Sequence, residues 1–249
     1  MHTGTSTNHS CTGHAGRRAT LKLLLGAPLA LTGVGLGVPE AAQAEALTKE
    51  ARDRLTPAQV IDMLKAGNER FRTGRMQGHD YLAQKRATAA GQYPAAAILS
   101  CIDSRAPAEI ILDTGIGATF NARVAGNIAD DDLIGSLEFA CAAAGAKVVM
   151  VMGHTACGAV KGAIDDVELG HLTAVLDKIK PAIRATTYAG ERSSKNGSFV
   201  DAVAATNARL TVEEIRARST VLAGLEKDGK IRMAASMYHL AGGRVEFLA

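Results

Sequence analysis

Apolar residues along this chain occur in two arrangements, short unbroken runs and longer runs with helical spacing. Unbroken runs of strand length, bounded by turn residues, are typical of buried strands in a parallel sheet. Such runs predict strands over 95–100 and 147–152. Strands are also predicted over 119–123, and over 231–238 and 244–247 around the turn Gly242-Gly243.

Apolar residues at helical spacing predict helices between these strands. Thr56-Pro57 supplies a capping residue and a first-turn proline for a helix that runs to about Thr73. Gly145 closes a helix over 130–144. Further helices are predicted over 106–113, 155–164, 172–185 and 199–217, and residues 74–94 are predicted to mix helix and loop.

Strands that alternate with helices indicate βαβ units. The predicted fold class is therefore α/β, with a mainly parallel central sheet flanked by helices. The tight turn between the last two strands predicts a C-terminal antiparallel strand at the edge of this sheet. Length is consistent with one domain over 45–249.

The first 44 residues differ in composition from the rest and are predicted to be an export signal. Arg17-Arg18 precedes an apolar, glycine-spaced stretch over 23–38, and Ala42-Gln43-Ala44 gives a small-residue cleavage pattern. The paired arginines resemble a twin-arginine signal, although Thr20 replaces the usual aromatic residue. An ordinary secretory signal and an uncleaved anchor are the alternatives.

The apolar stretch of this signal is short for a membrane span, which needs about 20 residues. The mature protein is therefore expected to have no membrane span and to be periplasmic or secreted. If the twin-arginine machinery exports it, the protein crosses the membrane folded, with any metal already loaded in the reducing cytoplasm.

Charge and cysteine content narrow the possible functions. The net charge is +3 and no run of Lys and Arg reaches five, so the sequence gives no indication of nucleic-acid binding. Beyond residue 44 there are three cysteines, Cys101, Cys141 and Cys157, and an odd number argues against a disulfide framework. Cys141 lies on the apolar face of a predicted helix and is expected to pack in the core.

Candidate metal chemistry lies where two of the predicted strands end. Cys101 follows the strand over 95–100, and His154 follows the strand over 147–152 by one glycine. Ligands bind at the carboxyl ends of strands in open α/β sheets, so Cys101, His154 and Cys157 are expected to meet. The three-residue step from His154 to Cys157 would put both on one helical turn. Two thiolates and an imidazole form a zinc set that leaves the fourth position to water, as in catalytic sites.

Asp103 and Arg105 lie beside the first of these ligands. Asp103 would either accept a hydrogen bond from the water on zinc or bind zinc itself and close the site. A bidentate pair with Arg105 would hold the carboxylate ionised and turned away from the metal. The alternative is that Asp103 caps the following helix and Arg105 is a surface charge.

At these residues the sequence resembles the β-class carbonic anhydrases. The resemblance runs from about Thr56 to Phe247 and rests mainly on Cys-x-Asp-Ser-Arg at 101–105 and His-x-x-Cys-Gly at 154–158, with support from 64–71, 123–127, 219–222 and 242–247. It implies zinc-dependent reversible hydration of CO2 to bicarbonate and a proton. It also implies one Zn2+ per subunit and a homodimer or dimer of dimers with active sites at the subunit interface.

The resemblance assigns roles to residues by position. Cys101, His154 and Cys157 would bind zinc, and Asp103 and Arg105 would form the catalytic pair. Gly158 would offer a backbone N–H to bicarbonate from a helix N-terminus. Phe120 and Ala125 would line the apolar CO2 pocket.

Gln92 resembles the glutamine of the plant-like subgroup, which reaches in from the partner subunit to hydrogen-bond the substrate. Another subgroup builds an inhibitory bicarbonate pocket with a tryptophan, and this chain contains no tryptophan. Together these features favour an open site with water on zinc. Val124, Thr220 and Asn121 depart from the family pattern and leave the shape of the pocket open. His171 and Tyr188 are candidates for a proton shuttle.

Two other functions fit the same residues. One is a related zinc hydrolase that acts on carbon disulfide or carbonyl sulfide. The other is a non-catalytic zinc protein that binds a small anion or a partner.

Overall fold

Five strands form the central sheet, in the order β2-β1-β3-β4-β5. They are β1 (Ala96–Ser100), β2 (Thr119–Arg123), β3 (Val148–His154), β4 (Arg232–Tyr238) and β5 (Val245–Phe247). The first four are parallel and β5 is antiparallel to β4. This computed structural model describes residues 46–248, so the predicted export signal over 1–44 lies outside the described residues. The predicted α/β fold, with its antiparallel C-terminal edge strand, is confirmed.

Ten helices surround the sheet in the described part of the chain: α1 (Lys49–Asp53), α2 (Pro57–Arg72), α3 (Tyr81–Thr88), α4 (Ala108–Ile111), α5 (Asp131–Glu138), α6 (Gly158–Ile164), α7 (Gly170–Asp177), α8 (Lys180–Ala185), α9 (Gly197–Arg218) and α10 (Thr220–Lys227). A 3₁₀ turn covers Ala125–Asn127 and a π-helical turn covers Phe139–Ala143. Within residues 46–248, no helix combines the length and apolar character that a membrane crossing requires.

Local sequence explains where the first long helix begins. Thr56 accepts a hydrogen bond from the Gln59 N–H, and the Gln59 side chain accepts one from the Thr56 N–H. This capping box satisfies two backbone donors that the first turn would otherwise leave free. Val60 and Leu64 then face the sheet and are buried, which fixes α2 against one side of the core.

Several helix boundaries differ from the prediction. The helix predicted over 172–185 is two helices, because Pro181 has no N–H to donate to the preceding turn. The helix predicted over 130–144 ends in the π-helical turn before Gly145, whose φ is +82°. Ser219 ends α9 and also caps α10, which the sequence pattern did not predict.

Three clusters of buried side chains hold the layers together. One packs α5, α9 and α10 against one face of the sheet, and a second packs α2 and α4 against the other face. The third lies beneath α6, α7, α8 and α9 at the carboxyl ends of the strands, and it includes Cys101 and Cys157. Every residue of β1 and β3 is buried, so the ends of these central strands provide a rigid base for a site.

Candidate metal centre

The structure brings the three predicted metal ligands together. Cys101 follows β1, His154 is the last residue of β3, and Cys157 is the N-cap of α6. The ligand atoms of all three lie within 4.8 Å of one another, and all three residues are buried. Among the described residues, Cys101, Cys141 and Cys157 form no disulfide.

The route from His154 to Cys157 differs from the predicted helical turn. Strand β3 continues through Gly153 to His154, which pairs with Tyr238 of β4. Helix α6 begins only at Gly158, and Ala156 between the two ligands has a left-handed φ of +54°. The ligands therefore face each other across a tight turn between a strand and a helix.

His154 has the form that a metal ligand requires. Its Nδ1 lies 2.9 Å from the carbonyl oxygen of Thr155. A carbonyl only accepts, so Nδ1 carries the proton and Nε2 keeps its lone pair. Nε2 is buried and has no hydrogen-bond partner in the described residues. A buried nitrogen without a partner is costly, and a zinc ion shared with two sulfurs satisfies it.

The hydrogen bond between Cys157 and Cys101 shifts the pKa values of the two thiols in opposite directions. A hydrogen bond from the Cys157 thiol lowers the pKa of Cys101, although burial acts in the opposite direction. The same contact, followed by burial, raises the pKa of Cys157. Burial would lower the pKa of His154, but the Cys101 thiolate reverses this and the pKa is raised. These directions favour a thiolate at Cys101, one of the three residues that could hold a cation.

Backbone groups of the 3₁₀ turn support Cys101. The N–H of Gly126 lies 3.4 Å from Cys101 Sγ, and Asn207 holds the Gly126 carbonyl at 2.8 Å. Gly126 has a φ of +70°, and a Cβ there would collide with Ile179. Only glycine meets both conditions without strain.

Arg123 braces the loop that carries the first ligand. Its Nε donates to the carbonyl oxygen of Cys101 at 2.9 Å, and its Nη2 donates to that of Asp103 at 2.5 Å. The sequence showed Arg123 only as part of a family segment. Its bonds go to backbone oxygens, and such bonds leave no motif.

Asp103 and Arg105 form the predicted bidentate pair. Arg105 Nε lies 2.9 Å from Asp103 Oδ1, and Nη2 lies 2.8 Å from Oδ2. The Arg105 guanidinium holds the pKa of Asp103 well below its usual range, despite burial, and the Arg105 backbone N–H adds to the effect. Helix α4 begins at Ala108 with Pro107 as its N-cap, so Asp103 does not cap it.

A cavity of about 390 Å³ opens beside the metal ligands. Ala125 and Gly158 line it together with Cys101 and Asp103. Its other walls are mostly apolar: Ile102, Ala159, Gly162, Val167, Leu172 and Leu176. Such walls suit a small nonpolar substrate.

Gln92 and Phe120 lie elsewhere in the chain. Gln92 is exposed and lines a separate cavity with Gly91 and Gly117. The Phe120 ring packs edge-on against Phe139, with 6.2 Å between ring centroids, and lines a third cavity. Neither lines the cavity beside the metal ligands of its own chain, so their roles at the site stay predictions.

Other titratable candidates do not line the site cavity. Tyr188 contacts Asn196 and the ring of Phe199, and His171 is exposed on α7. Cys141 is buried in the core, where burial raises its pKa to about 12. This is the packing environment that its sequence position predicted.

A mainly parallel sheet with a buried Cys-His-Cys group at its strand ends defines an α/β protein with a candidate metal site of three ligands. The carbonic anhydrase family model matches residues 96–245. Carbonic anhydrase 2 of Mycobacterium tuberculosis is 36% identical over 194 residues, which is 76% of this chain and 91% of that protein. A carbonic anhydrase of Mycolicibacterium smegmatis is 34% identical over 196 residues, which is 76% of this chain and 92% of that protein. The chain belongs to the carbonic anhydrase family.

Solved structures give the fold its class. A tetrameric β-carbonic anhydrase from Sordaria macrospora superposes with a TM-score of 0.58 at 22% identity, over 77% of this chain and 95% of that one. The Coccomyxa β-carbonic anhydrase bound to acetazolamide gives 0.58 at 20% identity, over 77% and 82%. The fold is that of the β class.

Proposed function

We propose that this protein catalyses the reversible hydration of CO2 to bicarbonate and a proton, with one zinc ion held by Cys101, His154 and Cys157. The observation that carries this is the buried Nε2 of His154, which has no hydrogen-bond partner among the described residues, lies within 4.8 Å of two cysteine sulfurs and is next to the Asp103–Arg105 ion pair. When bound, zinc supplies Lewis-acid chemistry that makes water a nucleophile near neutral pH.

Asp103 orients the nucleophile. Its Oδ1 accepts two hydrogen bonds, from the N and Nε of Arg105. Oδ2 accepts one from Arg105 and lies 3.8 Å from His154 Nε2. Oδ2 therefore keeps a lone pair, on the side of the metal ligands, that can accept an O–H and aim the oxygen at carbon.

Substrate and product contact different walls of the cavity. Ala125 and Leu176 give CO2 an apolar surface, and the N–H of Gly158 is available to a bicarbonate oxygen. Outside the neighbouring backbone, no heavy atom lies within 4 Å of where a Cβ of Gly158 would lie, so the space beside its Cα is open.

We place the protein in the open-site, plant-like subgroup. Two features support water rather than Asp103 in the fourth position. Asp103 is not part of the close ligand group, and Arg105 occupies both of its carboxylate oxygens. X-ray absorption at the zinc edge tests this, because an open site has two sulfurs, one imidazole and one light oxygen scatterer that Asp103→Asn leaves in place.

The proposed assembly is a homodimer or a dimer of dimers in which Gln92 of one subunit reaches the site of another. Two observations support this arrangement: Gln92 is exposed, and it lines a different cavity from the one beside its own chain's metal ligands. Analytical ultracentrifugation reports the oligomer. In mixed oligomers of Gln92→Ala and Asp103→Asn subunits, recovered activity would show that the two residues serve one site from different chains.

The proposed location is the periplasm or the cell exterior, reached through twin-arginine export. The support is the Arg17-Arg18 pair, the apolar stretch after it and Ala42-Gln43-Ala44. The route is tested by fractionating cells that produce either the unchanged chain or the double variant Arg17→Lys, Arg18→Lys. A twin-arginine substrate is retained inside by the double substitution, whereas an ordinary secretory signal keeps its positive charge and still exports the chain.

Stopped-flow CO2 hydration by the zinc-loaded protein, scanned from about pH 6.5 to 9, tests the reaction itself. Rapid hydration that rises with pH supports the proposal. Turnover of carbonyl sulfide or carbon disulfide without CO2 hydration would favour the hydrolase. One bound zinc without any turnover would favour a binding protein.

A further inference from the structure

The turn between the metal ligands His154 and Cys157 is held by hydrogen bonds from two directions, the end of strand β4 and helix α9. On one side, the N–H of Thr155 donates to the Tyr238 carbonyl at 3.0 Å, and the Thr155 hydroxyl accepts from the Leu240 N–H at 3.0 Å. These bonds fix the start of the turn at the end of β4. They do not reach Ala156, the residue with the left-handed backbone.

Ala156 needs a separate support. Alanine in the left-handed region brings its Cβ close to backbone oxygen, and such residues persist only where their surroundings enforce them. The enforcing contact comes from helix α9: Asp201 Oδ1 accepts the Ala156 N–H at 2.8 Å. The two residues are 45 positions apart in the sequence.

Helix α9 is a firm anchor for this carboxylate. The neighbours Phe199, Val200 and Val203 are fully buried beside the metal ligands. Asn207, further along the same helix, holds the Gly126 carbonyl on the other side of the site. One helix therefore fixes both turns that surround the ligands.

We propose that Asp201 is a positioning residue for the metal centre. By holding the Ala156 N–H it keeps the left-handed turn, and the turn sets the separation of His154 Nε2 from Cys157 Sγ. Asp201 does not itself contact metal or substrate. The proposal rests on zinc binding at this site, but it does not depend on which reaction the zinc supports.

The test compares Asp201→Ala with Asp201→Asn. Asparagine keeps an oxygen that can accept the Ala156 N–H, whereas alanine does not. Partners beyond the ligands typically change metal affinity by 10–100-fold. We expect Asp201→Ala to weaken zinc binding by about 10-fold in competition with a chromogenic chelator, and Asp201→Asn to restore most of the loss. Asp62→Ala, an exposed carboxylate on α2, is the matched control.

Cobalt substitution gives a readout that a general loss of stability would not move. The sulfur-to-cobalt charge-transfer bands of Asp201→Ala should shift, while those of Asp201→Asn and Asp62→Ala should match the wild type. Zinc affinity and cobalt bands equal to the wild type in Asp201→Ala would overturn the proposal. So would an equal loss in the Ala and Asn variants, because charge rather than the hydrogen bond would then be responsible.

A double variant covers the case in which Asp201→Ala fails to fold. Glycine takes left-handed backbone without strain, so Ala156→Gly should recover part of the zinc affinity in the Asp201→Ala background. An Asp201→Ala loss that is unchanged by Ala156→Gly would contradict the role of the turn. If the wild-type protein binds zinc but does not hydrate CO2, the proposed function is wrong. The role of Asp201 can still be tested, because its readouts are zinc affinity and the cobalt spectrum.

Discussion

Nε2 of His154 and Oδ2 of Asp103 lie 3.8 Å apart, and no hydrogen bond joins them. The imidazole nitrogen is kept for a metal, and the carboxylate, only 15% exposed, is kept ionised by Arg105. The two neighbouring groups therefore have different roles: His154 Nε2 is a metal ligand, and the Asp103 carboxylate is a hydrogen-bond acceptor. Because the two roles are separate, a change at Asp103 should affect turnover without removing the metal.

Replacing Asp103 with Asn should abolish most turnover and leave zinc in place. Asparagine fills the same space but loses the charge and one acceptor, so the nucleophile loses its orientation. We expect kcat for CO2 hydration to fall by roughly 100-fold or more, with one zinc per subunit by elemental analysis. Asp132→Asn, exposed on α5, is the control. Loss of zinc together with activity would instead make Asp103 a ligand.

Replacing Arg105 with Lys should cost activity although the positive charge remains. Arg105 holds Asp103 through two parallel bonds, a geometry that an ammonium group cannot reproduce. We expect a fall in kcat of roughly 10–100-fold, the range for partners that orient groups at a metal site. Steady-state kinetics of Arg105→Lys and Arg105→Ala measure it. Full activity in the lysine variant would show that charge alone is sufficient.

The sequence predicted the metal ligands because unbroken apolar runs show where the two central strands end. Unbroken apolar runs gave β1 and β3, and both turned out fully buried. Chain topology then required Cys101, His154 and Cys157 to meet. The tight turn at Ala156 was not predicted, since nothing in alanine favours a left-handed backbone.

The sequence did not predict the contacts between residues that are distant along the chain. Asp201 and Arg123 bond to backbone atoms 45 and 20–22 positions away, and any carboxylate or guanidinium at those positions reads as a surface charge. Helix α10 was missed because Ser219 serves two helices at once. The placement of Gln92 and Phe120 away from the cavity depends on tertiary structure that no local pattern encodes.

Asp113 should stabilise the fold at neutral pH and lose this effect in acid. Its side chain is fully buried, and burial alone would raise its pKa. Hydrogen bonds from Arg70, the Gln77 N–H and His79 outweigh burial, so the pKa is lowered. A carboxyl with a lowered pKa in the folded state stabilises above its unfolded pKa, about 3.9, and the contribution disappears as pH falls through the folded value.

Asp113→Asn should therefore lower the free energy of unfolding by about 3 kcal/mol at pH 7, because it leaves Arg70 without its buried partner. The difference from the wild type should shrink as the pH falls below about 4. Urea unfolding at several pH values measures both effects, with the exposed Asp62→Asn as control. A difference that stays constant into acid would contradict the linkage.

Removing zinc should expose one reactive thiol. The hydrogen bond from the Cys157 thiol lowers the pKa of Cys101, so without metal we expect Cys101 to be a thiolate in the neutral range. Cys141, with its pKa raised to about 12, stays protonated. We expect chelator-treated protein to be alkylated at Cys101 at a rate nearly constant from about pH 6 to 9, and mass spectrometry to find Cys141 unmodified. If Cys101 were alkylated as fast in the zinc-loaded protein as in the chelator-treated protein, Cys101 would not be a zinc ligand.

Gly67 should be required for packing and not for chemistry. A Cβ at this position of α2 would collide with the backbone carbonyl of Leu112. Backbone cannot move aside as a flexible side chain can, so Gly67→Ala should destabilise the protein by about 3 kcal/mol. Gly135→Ala on α5 is the matched control, since no heavy atom lies within 4 Å of its added Cβ, and it should stabilise by up to roughly 1 kcal/mol. Thermal unfolding separates the two, and zinc content at low temperature should equal that of the wild type in both. A Gly67→Ala variant as stable as the wild type would mean that α2 can move away from Leu112 at little cost.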